Sequence, residues 1–255
     1  MLQAMKKMRA DELLTKQGLC PNRSQAKAVI MAGQAWLGTE RVDKPGRLLP
    51  ENADLRVDQP LPYVSRGGLK LNAFLERFEV TVDGLDVLDL GSSTGGFTDC
   101  MLQRGARSAT CVDVGHGQLH GKLRSDERVE VRERLNARHL KGEDLPRPAY
   151  DLVTMDLSFI SLRKVLVRAW SFLKPSGKLI ALIKPQFEAT KKEADAGRGI
   201  IKDPSIHQRV VEEILTYARA SLVASSGIGQ MESPVKGAEG NKEFLIGWER
   251  REQES

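Results

Sequence analysis

Between Val87 and Phe97 the chain reads V-L-D-L-G-S-S-T-G-G-F: an apolar run closed by an acid, then glycines and hydroxyls, then the start of an amphipathic stretch. This pattern predicts a buried strand, a sharp turn and a helix whose free backbone amides converge on the turn. The remainder of the chain beyond residue 61 repeats the alternation. Compact apolar runs fall at 85–90, 109–114, 129–132, 151–157 and 178–183, with amphipathic stretches between them. A long helix is expected over 204–222, where Pro204 suits a first turn, and a last strand over 243–248. Strands alternating with helices imply an α/β fold with a doubly wound sheet.

The spacing of the glycines narrows the ligand. Gly91, Gly95 and Gly96 form neither G-x-G-x-x-G nor G-x-x-x-x-G-K-[ST], and no lysine follows, so neither a dinucleotide nor a triphosphate is expected. An adenosine-type ligand needs a carboxylate on its ribose hydroxyls at the end of the second strand, about 20 residues after the glycines. Asp113 closes A-T-C-V at that spacing. Asn136 then falls where it can meet the adenine edge, and Asp89 sits at the tip of the first strand. A tight strand–helix turn with Asp113 as a helix cap is the plain alternative. The two features together favour a ligand held by Asp89, Gly91, Ser92, Ser93, Thr94, Gly95, Gly96, Phe97, Asp113, Val114, Asn136 and Asp156.

Four charged residues stand where apolar ones are expected. Lys70 precedes Phe74 by four residues on the apolar stripe Leu71, Phe74, Leu75 and Phe78, so it either snorkels past the helix end or reaches into a site. Asp156 closes L-V-T-M and Lys184 closes L-I-A-L-I, and open parallel sheets bind ligands at such strand ends. Glu243 begins the final strand. If that strand is antiparallel, Glu243 reaches the same edge. A Lys-Asp-Lys-Glu cluster suits methylation of a hydroxyl, which is a poor nucleophile until a positioned base takes its proton. No metal is required.

The first 50 residues hold nine Lys and Arg against four Asp and Glu, an excess of +5, while the other 205 sum to zero. A basic head on a neutral body fits a polyanionic partner, most simply nucleic acid. Helices are expected over 10–17 and 23–32, the second capped by Asn22 and stopped by Gly33, followed by short strands at 35–37 and 55–57. Gln59, Pro60, Leu61 and Pro62 read as a linker. The pieces R-A-D-E-L-L, G-L, S-Q-A-K, K-P and D-L-R-V resemble the small RNA-binding module named after ribosomal protein S-four. The expected boundaries are 8–60 for this α+β domain, 61–67 for the linker and 68–250 for the second domain. In the S-four module the second helix and following loop face RNA, which implies phosphate contacts at Arg23, Lys27 and Lys44. Here A-W-L-G-T replaces the module's valine-rich strand and asparagine–glycine turn.

Over nearly its whole length the sequence resembles the TlyA family of ribosomal RNA 2'-O-methyltransferases, which join an S-four-like domain to an FtsJ-like methyltransferase domain. The resemblance is carried by V-S-R-G-G-L-K-L, D-L-G-S-S-T-G-G-F-T-D, V-D-V-G-H-G-Q-L, M-D-L-S-F-I-S-L, I-K-P-Q-F-E and G-N-K-E-F-L. It implies a Rossmann-like methyltransferase sheet, S-adenosylmethionine as cofactor, ribosomal RNA or a ribosomal subunit as partner, and methylation of a cytidine ribose. The family tetrad falls on Lys70, Asp156, Lys184 and Glu243, with Lys184 the expected base, and Arg66 joins the RNA-contacting set. The chain stops soon after its last strand, which leads to an expectation of large-subunit RNA.

Family members also carry the name haemolysin, but a pore needs a membrane element that this sequence does not offer. The amino terminus is charged where a secretory signal would be apolar, and a cytoplasmic protein is expected. Cys20, Cys100 and Cys111 lack C-x-x-C spacing and read as core residues rather than a zinc site. The rivals to catalysis are an RNA-binding ribosome assembly factor that keeps a relic cofactor pocket, and a nicotinamide-dependent oxidoreductase, against which the missing dinucleotide fingerprint argues. Residues 186–200 read equally as a mobile flap or an ordinary long loop.

Overall fold

The structure is a computed structural model and describes residues 6–58 and 61–252. The chain divides into two compact units, residues 1–61 and 62–255. Of the expected linker, Gln59 and Pro60 lie outside the described residues.

The small unit runs β1 (Lys7–Arg9), α1 (Ala10–Lys16), α2 (Arg23–Met31), β2 (Ala35–Leu37), β3 (Glu40–Arg41), β4 (Leu48–Pro50) and β5 (Leu55–Val57). Asn22 Oδ1 accepts the Gln25 amide at 2.9 Å and starts α2, satisfying an amide that has no partner within the helix. Leu13, Leu14, Ala26 and Ile30 from the helices meet Ala35 and Leu55 from the strands, and Val42 just past β3, in one small core. β2 lies between β3 and β5 in an antiparallel sheet, and β1 pairs with β4. Strands β1, β3 and β4 carry too few alternating residues to be legible in the sequence.

The large unit contains α3 (Gly67–Arg77), β6 (Asp86–Leu90), α4 (Gly96–Gln103), β7 (Ser108–Asp113), α5 (Gly121–Arg124), β8 (Val129–Glu133), β9 (Tyr150–Met155), α6 (Leu166–Ser171), β10 (Leu173–Ile183), α7 (Pro185–Glu188), α8 (Lys191–Ala196), α9 (Pro204–Ser221), β11 (Ser225–Glu232) and β12 (Phe244–Arg250). Its seven strands are ordered β11-β12-β10-β9-β6-β7-β8. β8, β7, β6, β9 and β10 are parallel, whereas β12 is antiparallel to both β10 and β11. The central strands β6 and β9 are apolar on both faces because helices cover both faces. Leu71, Phe74 and Met101 pack on one side, and Trp170, Val210 and Ile214 on the other.

Two segments depart from the sequence reading. Residues 186–200 do not form a long loop: α7 and α8 occupy most of them. Thr190 and Glu193 cap α8 reciprocally, a T-K-K-E capping box that the sequence displayed. β11 was not anticipated either. Its S-S-G-I-G-Q-M-E holds two glycines and no clean alternation, which an edge strand tolerates. Before α3, Tyr63 and Val64 pack against the core, and the Val64 amide donates to Asp99 at 2.8 Å, so this part of the expected linker is built into the large unit. No helix among the described residues is long and apolar enough to cross a membrane.

Candidate active site

The crevice opens where β6 and β9 stand side by side, the point at which the strand order reverses. At the tip of β6 the chain turns through Gly91, whose φ of +83° is a left-handed conformation that L side chains rarely adopt. A Cβ there would also lie 2.6 Å from the Asp156 carbonyl oxygen, so only glycine lets the ends of β6 and β9 approach this closely. Gly91, Ser92, Ser93, Thr94, Gly96 and Phe97 line one part of the crevice with Asp89, Asp156, Arg66 and Lys70. Gly95 does not line it. Its φ is +92°, and a Cβ would collide with Leu119 and Leu123, so it turns the chain and seats α5.

The second part of the crevice shares Gly91, Ser93 and Asp156 and adds Asp113, Val114 and Asn136 at the ends of β7 and β8. The Asp113 carboxylate accepts the Ser93 amide at 2.8 Å and the Gly115 amide at 2.7 Å, which pins the glycine turn to the end of β7. Asp113 therefore has a structural task and also faces the crevice. Asn136 Oδ1 accepts the Arg138 amide at 3.0 Å.

Asp89 is fully enclosed and accepts hydroxyl hydrogen bonds from Thr98 at 2.7 Å and Thr154 at 2.8 Å. Burial pushes its carboxyl up to about 6 against those hydrogen bonds, and the neighbouring charge of Asp156 adds to the rise. Burial also pushes the thiols up, to about 11 for Cys100 and about 12 for Cys111, as expected of inert core cysteines.

The four charged residues singled out in the sequence come together as two ion pairs. Lys70 Nζ lies 2.5 Å from Glu243 Oε2, with both side chains buried. Lys184 Nζ lies 2.6 Å from Asp156 Oδ1 and donates to Ser158 Oγ at 3.0 Å. Lys70 and Asp156 face the crevice, with Glu243 and Lys184 as their respective partners. Antiparallel pairing of Ile183 with Phe244 brings Lys184, at the end of β10, level with Glu243, at the start of β12. Asp156 Oδ1 is buried, and Lys184 is its charge partner.

Several lining residues were not singled out. Ser65, Lys236 and Gly237 border the first part of the crevice, and Ser158, Phe159 and Lys164 the second. Phe159 is 90% exposed, has a φ of +63°, and its ring centroid lies 5.0 Å from that of Phe187. Its backbone is strained to present an aromatic face to solvent. The loop is anchored by the buried Glu188, which accepts from Ser161 Oγ and from the Leu162 amide, both at 2.6 Å. Burial pushes the Glu188 carboxyl up.

Of the expected RNA-contacting residues, Lys27 and Lys44 are exposed, and Arg66 is exposed at the mouth of the crevice. Arg23 is exposed but engaged: its guanidinium reaches Asp11 at 3.2 Å and Glu12 at 3.0 Å, tying α2 to α1.

The FtsJ-like methyltransferase family matches residues 63–250, and the S4 domain family matches residues 8–55. The protein named 16S/23S rRNA (cytidine-2'-O)-methyltransferase TlyA, from Mycobacterium tuberculosis, is 38% identical over 243 residues, covering 94% of this chain and 89% of its own. The chain belongs to the TlyA family. A second relative, YqxC of Bacillus subtilis, provisionally named an rRNA methyltransferase, is 44% identical over 242 residues, or 94% of this chain and 85% of its own. Among solved structures, a provisionally named hemolysin from Streptococcus thermophilus superposes with a TM-score of 0.73 at 41% identity, covering 98% of this chain and 90% of that one. The seven-stranded, mostly parallel sheet and the preceding S4 domain are thus the architecture of this TlyA-family chain.

Proposed function

We propose that this protein transfers a methyl group from S-adenosylmethionine to the 2'-hydroxyl of a cytidine ribose in ribosomal RNA, in the cytoplasm. The observation that carries the reading is the pair of lysine–carboxylate contacts, Lys70 with Glu243 and Lys184 with Asp156, bordering one crevice beside the glycine turn. The names of the M. tuberculosis and B. subtilis relatives support the same reaction class.

The crevice residues fit the cofactor. Gly91 leaves room that a Cβ would fill, Asp89 and Asp156 place acidic groups where a cationic ligand would sit, and Asp113 with Asn136 offers polar edges to an adenosine. When bound, S-adenosylmethionine supplies an activated methyl on a sulfonium. The protein's part is to align the ribose and take its proton. Lys184 accepts that proton in its neutral form, with Asp156 and Ser158 fixing the position of its nitrogen. Lys70, held by Glu243, presents N–H donors to the sugar oxygens. Phe159 offers a stacking face to an unpaired base, the usual way in which a single nucleotide is held out of an RNA structure. Arg66 at the crevice mouth, with Lys27 and Lys44 on the small unit, supplies phosphate contacts.

Purified protein supplied with labelled S-adenosylmethionine and unmodified ribosomal RNA or subunits is expected to place the label on a ribose. Label on a base would refute the mechanism. RNA binding with no transfer under any condition would favour an assembly factor.

A further inference from the structure

The solvent face of the small unit's three-stranded sheet carries an uncommon side-chain row. Trp36 on β2 lies directly opposite Arg41 on β3 and Arg56 on β5. Their inward-facing neighbours, Ala35, Leu37, Val42, Leu55 and Val57, belong to the core, so the alternation of the strands places these three on the outer face. The Arg41 guanidinium carbon sits 5.1 Å from the indole centroid and that of Arg56 sits 5.6 Å from it. Asp58 accepts the indole N–H at 2.7 Å and meets Arg56 at 3.3 Å. Arg41 has no ion-pair partner among the described residues, and its guanidinium lies against the Gly33 turn that ends α2. Glu40, the nearest acid on β3, is taken up by Arg47. The face is therefore net positive, with two guanidinium planes fixed by cation–π contact, so little side-chain entropy remains to be lost on binding.

We propose that this Arg41–Trp36–Arg56 ladder binds RNA phosphates, a second contact surface of the small unit, on its sheet and distinct from the helical set Arg23 and Lys27. The proposal rests on the RNA reading above. The Arg41 guanidinium, with no ion pair among the described residues, can match two phosphate oxygens at once, while Arg56, one nitrogen on Asp58, offers its remaining N–H donors, so that the two guanidinium groups flanking one indole track a backbone rather than read a base.

The test uses the full chain, an unmodified ribosomal RNA transcript and titrations over a range of salt. Arg41→Gln and Arg56→Gln are each expected to lower the salt slope of log affinity by about 0.7 to 0.9, which is about five- to eightfold in affinity at 0.1 M relative to 1 M salt. Arg→Lys at the same positions keeps the charge and is expected to recover only part of the loss. In the unmutated protein, adding RNA is expected to change the Trp36 emission, isolated by subtracting the signal of Trp36→Phe, which reports on the ladder even if a variant folds poorly. Wild-type affinity and slope in both Gln variants, with methyl transfer intact, would overturn the ladder proposal alone. The ladder would then merely brace the sheet or meet an acidic protein segment. Absence of RNA binding by the unmutated chain would overturn both this proposal and the functional reading.

Discussion

Lys70 Nζ lies 2.5 Å from Glu243 Oε2 in a position from which solvent is largely excluded, with Glu243 only 2% exposed. Removing one member of such a pair leaves the other charge buried without compensation. Lys70→Ala is expected to lower stability by about 3–5 kcal/mol in denaturant unfolding. The double variant Lys70→Met/Glu243→Leu is expected to recover most of that stability while remaining inactive, which separates the pair's effect on folding from its role at the site.

Lys184→Ala is expected to reduce methyl transfer by about 10²- to 10⁴-fold, the usual contribution of a positioned general base. S-adenosylmethionine affinity should change little, because the cofactor is assigned to the glycine turn, Asp113 and Asn136, none of which Lys184 contacts. Single-turnover transfer and equilibrium dialysis on the same preparation check the two halves of this statement.

Asp89 gives the cofactor step a pH dependence. Its carboxyl, pushed up to about 6 by burial, is protonated below that pH and anionic above it. A cationic ligand binds better to the anionic form, so affinity for S-adenosylmethionine should strengthen as the pH rises through about 6 and weaken below it. For the ligand-free protein the sign is opposite. The folded state binds the proton more tightly than the unfolded chain, so this residue's contribution to stability declines as pH climbs from the ordinary aspartate range to about 6. Asp89→Asn should flatten both profiles in calorimetric titrations.

Gly91→Ala places a side chain at a φ of +83° and 2.6 Å from the Asp156 carbonyl. A strain of about 1–3 kcal/mol is expected from the backbone conformation alone. Thermal unfolding should register that loss, and cofactor binding should fall more than tenfold because the ends of β6 and β9 are forced apart.

Phe159→Ala should raise KM for RNA by the equivalent of about 1–3 kcal/mol of lost base stacking. Phe159→Tyr should restore it. Glu188→Ala should shift the same parameter indirectly, since the Ser161 and Leu162 donors would lose their acceptor and the loop bearing Phe159 its anchor.

The ends of the parallel strands were the most legible part of the chain. Asp156 and Lys184, closing L-V-T-M and L-I-A-L-I, stand out because a charge ends an otherwise apolar strand, whereas Lys70 stood out on the apolar stripe of a helix and Glu243 at the start of the last strand. Their pairing was not, because it depends on register. Lys184 ends level with Glu243 across two antiparallel strands, yet Glu243 is taken by Lys70, from a helix 173 positions earlier. Gly95 was expected among the ligand residues on its place in the turn; that it also makes room for Leu119 and Leu123 beside α5 is set in three dimensions. Phe159 and Ser158 lay inside a quoted resemblance, M-D-L-S-F-I-S-L, but an aromatic in an apolar context reads as core until a positive φ shows it turned outward.

Because β12 runs opposite to β10, the residue that leads into it, Glu243, arrives level with Lys184 at the crevice end of the sheet. Removing β12 together with Glu243 would leave the glycine turn, Asp156 and Lys184 at the ends of their own strands but take away the acid paired with Lys70. The register of one antiparallel strand thus decides whether Lys70 is held as a paired cation or left as a lone buried charge.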